Sequence, residues 1–324
     1  MITLYQLHWS HFVEKIRWAL DYKGIQWSAV DVDPFTKREM RHLKCALPME
    51  AGGKEYTVPA ISDATTGAVV ADSTRILDYL ERTYPTPALY PEQANDRADM
   101  TRWMLWLDST VGLISRRLGY TQIALEHPGF LASLFLPRMI GSADVRTVKA
   151  RLGGVVIAGV LSRRFRFSRN RADRVYEELE RCLLIAADRL NSRPYLVAER
   201  FTAADLTLAA LMRPAMLVPY FRDHPRLRPL WEWRQRQLQE YGREAQVGYE
   251  MALHEVRQRR GWALGKVRWL GESGGERQPL PSEIPSVTVA RNDQQRVGRW
   301  PIVRGPLWYL QLKATCGLGR LAYR

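Results

Sequence analysis

The sequence predicts an α/β domain, an all-helical domain after it, and a basic C-terminal extension. Three observations predict this order. Strand-like and helix-like patterns run β-α-β and then β-β-α over residues 2–84. Residues 96–262 carry helical periodicity and no convincing strand pattern. From Gly271 onward, Gly274, Gly275, Pro279, Pro281 and Pro285 mark a linker into a tail of short apolar runs mixed with Arg. The boundaries follow as 1–84, a linker at 85–95, a helical domain at 96–262 and an extension at 263–324.

Residues 2–7 alternate like a strand. Ser10 then reads as the N-cap of a helix with Phe12, Val13, Ile16, Ala19 and Leu20 at helical spacing. Glu14, Lys15, Arg17 and Asp21 are expected on its polar face, and Gly24 stops it. Residues 25–32 read as a second strand. Residues 58–63 and 68–70 form a hairpin around Thr65-Thr66-Gly67. Asp72-Ser73 opens a helix with Ile76, Leu77 and Leu80 on one face, closed by Pro85 and Pro87. Met100, Trp103, Met104 and Leu107 stripe the next helix, and residues 172–190 repeat the pattern. At Phe201-Thr202-Ala203-Ala204-Asp205-Leu206, Thr202 caps, Asp205 reaches back, and Phe201 is set to pack on Leu206. Residues 203–217 are expected to be mostly buried, and 230–260 to add helix with a charged face.

The chain has 324 residues, 46% of them apolar and 25% charged, which excludes a disordered or fibrous class. The stretches without a charged side chain, 127–137 and 152–162 among them, are too short to span a bilayer. The opening residues show no basic region followed by an apolar one, so no secretory signal is expected. Cys45, Cys182 and Cys316 lie far apart, which predicts no metal site and no disulfide framework, and a cytoplasmic setting. The net charge of +14 concentrates beyond residue 85. A basic surface attracts anions, but no nucleic-acid-binding module accompanies it, so no specific nucleic acid is expected.

Four segments resemble the glutathione transferase superfamily. Ser10-His11-Phe12-Val13-Glu14-Lys15-Ile16-Arg17 looks like that family's C-P-F-C-x-K-V-R helix start. Val58-Pro59 looks like its V-P, Asp72-Ser73 like its D-S or E-S, and Phe201 to Asp205 like its buried capping motif. The resemblance covers about residues 2–260. It implies a thioredoxin-like N-terminal domain, an all-α glutathione-transferase-like domain, and glutathione as co-substrate. It also implies a small hydrophobic electrophile, a homodimer and a role in detoxification. A non-catalytic binding or scaffold protein on the same fold is the alternative.

Under the resemblance, a cis Val58-Pro59 bond exposes the Val58 backbone to the glutathione peptide; the competing reading is a proline starting an edge strand. The γ-glutamyl carboxylate falls to Ser73 at a helix N-terminus and the γ-glutamyl ammonium to Asp72; plain N-capping is the competing reading. Ser10 stands where the redox form of the motif has its first Cys, and Val13 where it has the second. Dithiol exchange at this motif is therefore excluded, and Ser10 becomes either the donor to the glutathione sulfur or only a cap. His11, in place of the family's proline, lines the pocket and moves protons or is merely solvated. Lys54 is the candidate for the glycyl carboxylate. Trp103, Trp106 and Leu107 either face the electrophile or belong to the core. Residues 126–171 look like an insertion. Its apolar run and following Arg cluster read as a weak contact with an anionic membrane surface or as a buried helix with a basic loop.

Overall fold

The computed structural model describes residues 1–48, 54–126, 131–132, 135–136, 147–165 and 172–242. Four strands form the N-terminal sheet: β1 (Ile2–Gln6), β2 (Trp27–Asp31), β3 (Ala60–Asp63) and β4 (Val69–Ala71). Their order is β2-β1-β3-β4. β1 runs parallel to β2, with Ile2 opposite Trp27, while β1 and β3 are antiparallel, with Tyr5 opposite Ala60. β3 and β4 close the hairpin, with Ala60 opposite Ala71. The parallel pair requires a crossover, and α1 (His11–Tyr22) supplies it. Gly24, at φ 62, provides the left-handed residue that ends α1 and turns the chain into β2. α2 (Ser73–Thr83) follows β4 directly. Two-residue strands at Leu47–Pro48 and Lys54–Glu55 flank a stretch outside the described residues.

The sheet and the described helices belong to one compact unit. The helical region starts with α3 (Ala94–Leu107), which continues through a π-helical turn at Asp108–Gly112 into α4 (Leu113–Glu126). Next come α5 (Val148–Phe165), α6 (Ala172–Leu190), α7 (Ala203–Leu211), α8 (Arg213–Met216), α9 (Pro219–Arg222) and α10 (Arg228–Tyr241). α7 is buried along its whole length and packs on both α1 and α3, so one helix joins the sheet layer to the bundle. Asp205 holds its start. One carboxylate oxygen accepts from Thr202 N–H at 2.9 Å and Thr202 Oγ1 at 2.8 Å, and the other accepts from Leu196 N–H at 2.8 Å. The ring of Phe201 stacks on Tyr241 at 4.3 Å between centroids.

The linker is tied down at several points. Lys23 Nζ donates to Glu81 at 2.8 Å and to the carbonyls of Tyr84 and Pro87 at 2.7 and 3.0 Å. Arg200 donates to the carbonyls of Ala88 and Tyr90.

α1 departs from the sequence expectation. Glu14, Lys15 and Arg17 are buried, not solvated. The sheet, α2, α7 and α10 surround this helix, so its charged side has no water to face. Each charge has a partner: Lys15 pairs with Asp108, Glu14 with Arg213 and Arg234, and Arg17 Nε donates to Gln6 at 3.0 Å. Within the inserted segment, α5 buries Ala150, Gly154, Ile157 and Leu161 and exposes Val148, Leu152, Val155 and Val156. The expected linker and tail at 263–324, and helix beyond Tyr241, lie outside the described residues.

Candidate active site

Strand register gathers three of the sequence motifs at one end of the sheet. Tyr5 of β1 sits opposite Ala60 of β3, and Ala60 sits opposite Ala71 of β4. The end of β1, the start of β3 and the end of β4 therefore coincide. Ser10, Val58-Pro59 and Asp72-Ser73 lie just past those ends. The Asp72 N–H donates to the Pro59 carbonyl at 3.2 Å.

Ser10 is the N-cap residue of α1, with φ −76 and ψ 122, yet its side chain makes no capping bond. Its backbone is engaged instead: Ser10 N–H donates to Leu7 C=O at 2.8 Å and Glu14 N–H donates to Ser10 C=O at 3.0 Å. The half-buried hydroxyl is left at a helix N-terminus, where free N–H groups and the dipole favour an anion. The Val58-Pro59 bond is cis.

Asp72 adopts φ 82, a left-handed conformation that costs a non-glycine residue about 1–3 kcal/mol. Its Oδ1 accepts from Thr74 N–H at 3.0 Å and Arg75 N–H at 3.2 Å, so it caps α2 through a single oxygen. Ser73 is the buried first residue of that helix.

His11 is neither solvated nor ionised at neutral pH. The ring is buried, its Nε2 lies 2.8 Å from the Gly112 carbonyl, and burial pushes its pKa down to about 3. The ring points into the helical layer, so proton movement by His11 near pH 7 is not supported. Gly112 permits this approach: a Cβ there would stand 2.7 Å from Phe12 Cζ. Lys54 falls in a two-residue strand, and its side chain lies outside the described residues.

Two residues passed over in the sequence matter here. Asp108 accepts two bonds from Lys15 Nζ, both at 3.0 Å, and one from Thr74 Oγ1 at 2.9 Å. That carboxylate fixes the first turns of α1 and α2 to each other, and so Ser10 relative to Ser73. In the sequence Lys15 reads as part of a polar face; only its burial in the fold demands the acid partner. Arg116 on α4 stands with its guanidinium 4.7 Å from the Phe165 ring centre. Trp103, Trp106 and Leu107 are core residues; the two indoles meet edge to face at 5.5 Å. The aromatic residue near Ser10 is Trp9, 5.4 Å from Phe135.

Residues 4–88 match the family described as the glutathione S-transferase N-terminal domain. Over that stretch the chain is similar to a glutathione transferase N-terminal domain. A probable glutathione S-transferase of Nicotiana tabacum is 26% identical over 113 residues, covering 35% of this chain and 47% of that protein. The chain thus spans about half the length of the relative it matches. Among solved structures, the glutathione transferase GSTFuA2 of Phanerochaete chrysosporium is similar at TM-score 0.55 and 22% identity, over 75% of this chain and 98% of that one. Ure2p5 of the same organism, co-crystallised with 1-(S-glutathionyl)-2,4-dinitrobenzene, is similar at TM-score 0.51 and 18% identity, over 80% and 97%. At these identities the solved structures show the fold: the glutathione transferase architecture of sheet domain followed by helices. No helix among the described residues is long and apolar enough to cross a membrane.

Proposed function

We propose that this chain is a glutathione-dependent transferase that activates the glutathione thiolate for attack on a small hydrophobic electrophile. The observation that carries the reading is the convergence of Ser10, Val58-Pro59 and Asp72-Ser73 at one sheet end, with the Ser10 hydroxyl uncommitted to its own helix. The Val58 backbone pairs with the peptide of glutathione. Ser73 and the N-terminus of α2 hold the γ-glutamyl carboxylate. Asp72 keeps Oδ2 for the γ-glutamyl ammonium, since both capping bonds use Oδ1. Lys54 serves the glycyl carboxylate, and His11 supports the pocket from inside the helical layer.

The Ser10 O–H donates to the sulfur. That bond and the helix dipole favour the thiolate, whose proton leaves to solvent. The thiolate attacks the electrophilic carbon; the C–S bond forms, and the leaving group departs with the electron pair of the bond that breaks. On this reading residues 1–84 bind glutathione, 85–95 link, 96–262 form the helical domain and 263–324 the extension. The protein acts in the cytoplasm, as a homodimer, in detoxification. Weak contact with an anionic membrane surface is supported by exposed Val148, Leu152, Val155 and Val156 beside Lys149, Arg151 and Arg163.

Retention on immobilised glutathione, followed by conjugation kinetics of wild type and Ser10→Ala, tests the reading. A hydrogen bond to a charged sulfur is worth about 1.5–3 kcal/mol, so turnover should fall roughly ten- to a hundredfold while glutathione affinity holds. A normal rate and a normal thiol pKa in Ser10→Ala would reduce Ser10 to a structural position. Retention with no turnover in the wild type favours the alternative, a binding protein on the transferase fold.

A further inference from the structure

Among the described residues Arg116 is a cation without a carboxylate partner. Among the described residues it makes no hydrogen bond and no ion pair, and its Nε is buried without an acceptor. Burial pushes its pKa down to about 10, which still leaves it charged at pH 7. The charged groups near it are Arg117 and Arg164, both of its own sign, and Tyr120 is the polar ring beside it. Arg164 is already engaged with Glu55, at 2.8 and 3.1 Å. Arg116 is half-buried: its Nε is shut off from water and its guanidinium lies against the Phe165 ring, with two like charges beside it, so an anion brought by a ligand would find a cation there that no carboxylate has neutralised.

The position of Arg116 says where that ligand sits. Gly112, Arg116 and Tyr120 follow at four-residue intervals and share one helix face. Gly112 receives His11, the residue after Ser10. Arg116 is therefore one helical turn from the docked start of α1. Around it lies a ring cluster: Phe165 stacks on Tyr120 at 4.9 Å, Tyr120 meets Phe135 at 5.9 Å, and Phe135 meets Trp9 at 5.4 Å and Phe35 at 5.7 Å. Trp9, Phe35, Tyr120 and Phe165 are only partly buried, so this aromatic surface is reachable from solvent.

We propose that this cluster and Arg116 form a subsite for a small aromatic acid, its ring against the partly buried Trp9, Tyr120 and Phe165 and its anionic group on the Arg116 guanidinium. The inference deepens the transferase reading, on which it rests for the reaction at Ser10; the binding of the acid does not depend on that reading. A planar guanidinium suits a carboxylate, donating two parallel N–H bonds to its oxygens. The preferred electrophile is then an arene carrying both a leaving group and a carboxylate.

Calorimetry on the full chain tests this with 3,5-dinitrobenzoate and its neutral counterpart 1,3-dinitrobenzene as probes, against wild type, Arg116→Gln, Arg116→Lys and the exposed control Arg163→Gln. The acid should bind wild type roughly tenfold or more tighter than the neutral ring, as a charge-assisted pair implies. Arg116→Gln should erase that preference, Arg116→Lys should keep part of it, and Arg163→Gln should keep all of it. Neutral-ring affinity should stay within about twofold throughout. Equal binding of the two probes by wild type overturns the proposal, and so does a preference that survives Arg116→Gln or disappears in Arg163→Gln. If Arg116→Gln fails to fold, the wild-type preference and its reduction in Arg116→Lys decide the matter. Glutathione is titrated separately. Absent glutathione binding with an intact acid preference defeats the transferase reading alone, whereas glutathione binding without an acid preference defeats the subsite alone.

Discussion

His11 and Asp205 are buried titratable groups with opposite effects on the pH dependence of stability. Burial lowers His11 from 6.5 to about 3, so between those values the unfolded chain binds a proton that the folded chain does not. Its contribution is fully present above pH 6.5 and is lost as pH falls toward 3. Asp205 is raised by burial from 3.8 to about 7, outweighing the hydrogen bonds it accepts. Here the folded chain holds the extra proton between pH 3.8 and 7, and stability declines as pH rises through that window. Each slope has an upper limit of about 1.4 kcal/mol per pH unit, and over their common range they oppose each other. Single variants separate them. The wild-type advantage over His11→Gln should grow as pH rises from about 3 to 6.5. The advantage over Asp205→Asn should shrink from about pH 4 to 7. Denaturant titrations at several pH values measure both, and a pH-independent difference in either pair removes the corresponding shift in proton affinity.

Elements show what the sequence could reveal and where local pattern ran out. Thr202 and Asp205 announced the start of α7 because a capping box is a local device, complete within four residues. Gly24 and the Thr65-Thr66-Gly67 turn were equally local, and Gly67 takes φ 73 as such a turn requires. The polar face expected on α1 was not there. Periodicity counts Glu14, Lys15 and Arg17 as solvent-seeking, but the groups that pair with them include residues as distant as Asp108, Arg213 and Arg234. Ser10, Val58-Pro59 and Asp72-Ser73 were legible as motifs; Asp108, which locks two of them together, was not, because nothing near it in the chain marks it. Asp108→Ala should therefore act at a distance. It strands a fully buried Lys15 ammonium, at a cost of about 3–5 kcal/mol. It also frees the start of α2, so glutathione affinity should fall along with the melting temperature. A variant that loses stability but binds glutathione normally would confine Asp108 to the core.

At the scale of the whole molecule, the sheet layer and the helical layer share one buried charge cluster. Glu14 of α1 pairs with Arg213 of α8 and, at 2.9 Å, with Arg234 of α10. Arg234 also donates through Nε to the Ala209 carbonyl of α7 at 2.6 Å, and its guanidinium lies 5.8 Å from the Trp18 ring centre. One carboxylate from the N-terminal domain thus holds two cations of the bundle, and all three side chains are buried. With α7 packed on α1 and the linker pinned through Lys23 and Arg200, neither layer has a solvated surface on which to separate. The two layers are therefore expected to unfold together. Glu14→Ala removes the shared carboxylate from two buried guanidinium groups, a loss of about 3–5 kcal/mol when one side of a buried pair is deleted. For a chain of 324 residues that corresponds to a fall of roughly 4–7 °C in melting temperature. Calorimetry should show one transition moved downward as a whole, because the cluster belongs to both layers. Two resolved transitions, with only one displaced, would mean that the layers are separate folding units and that Glu14 stabilises just its own.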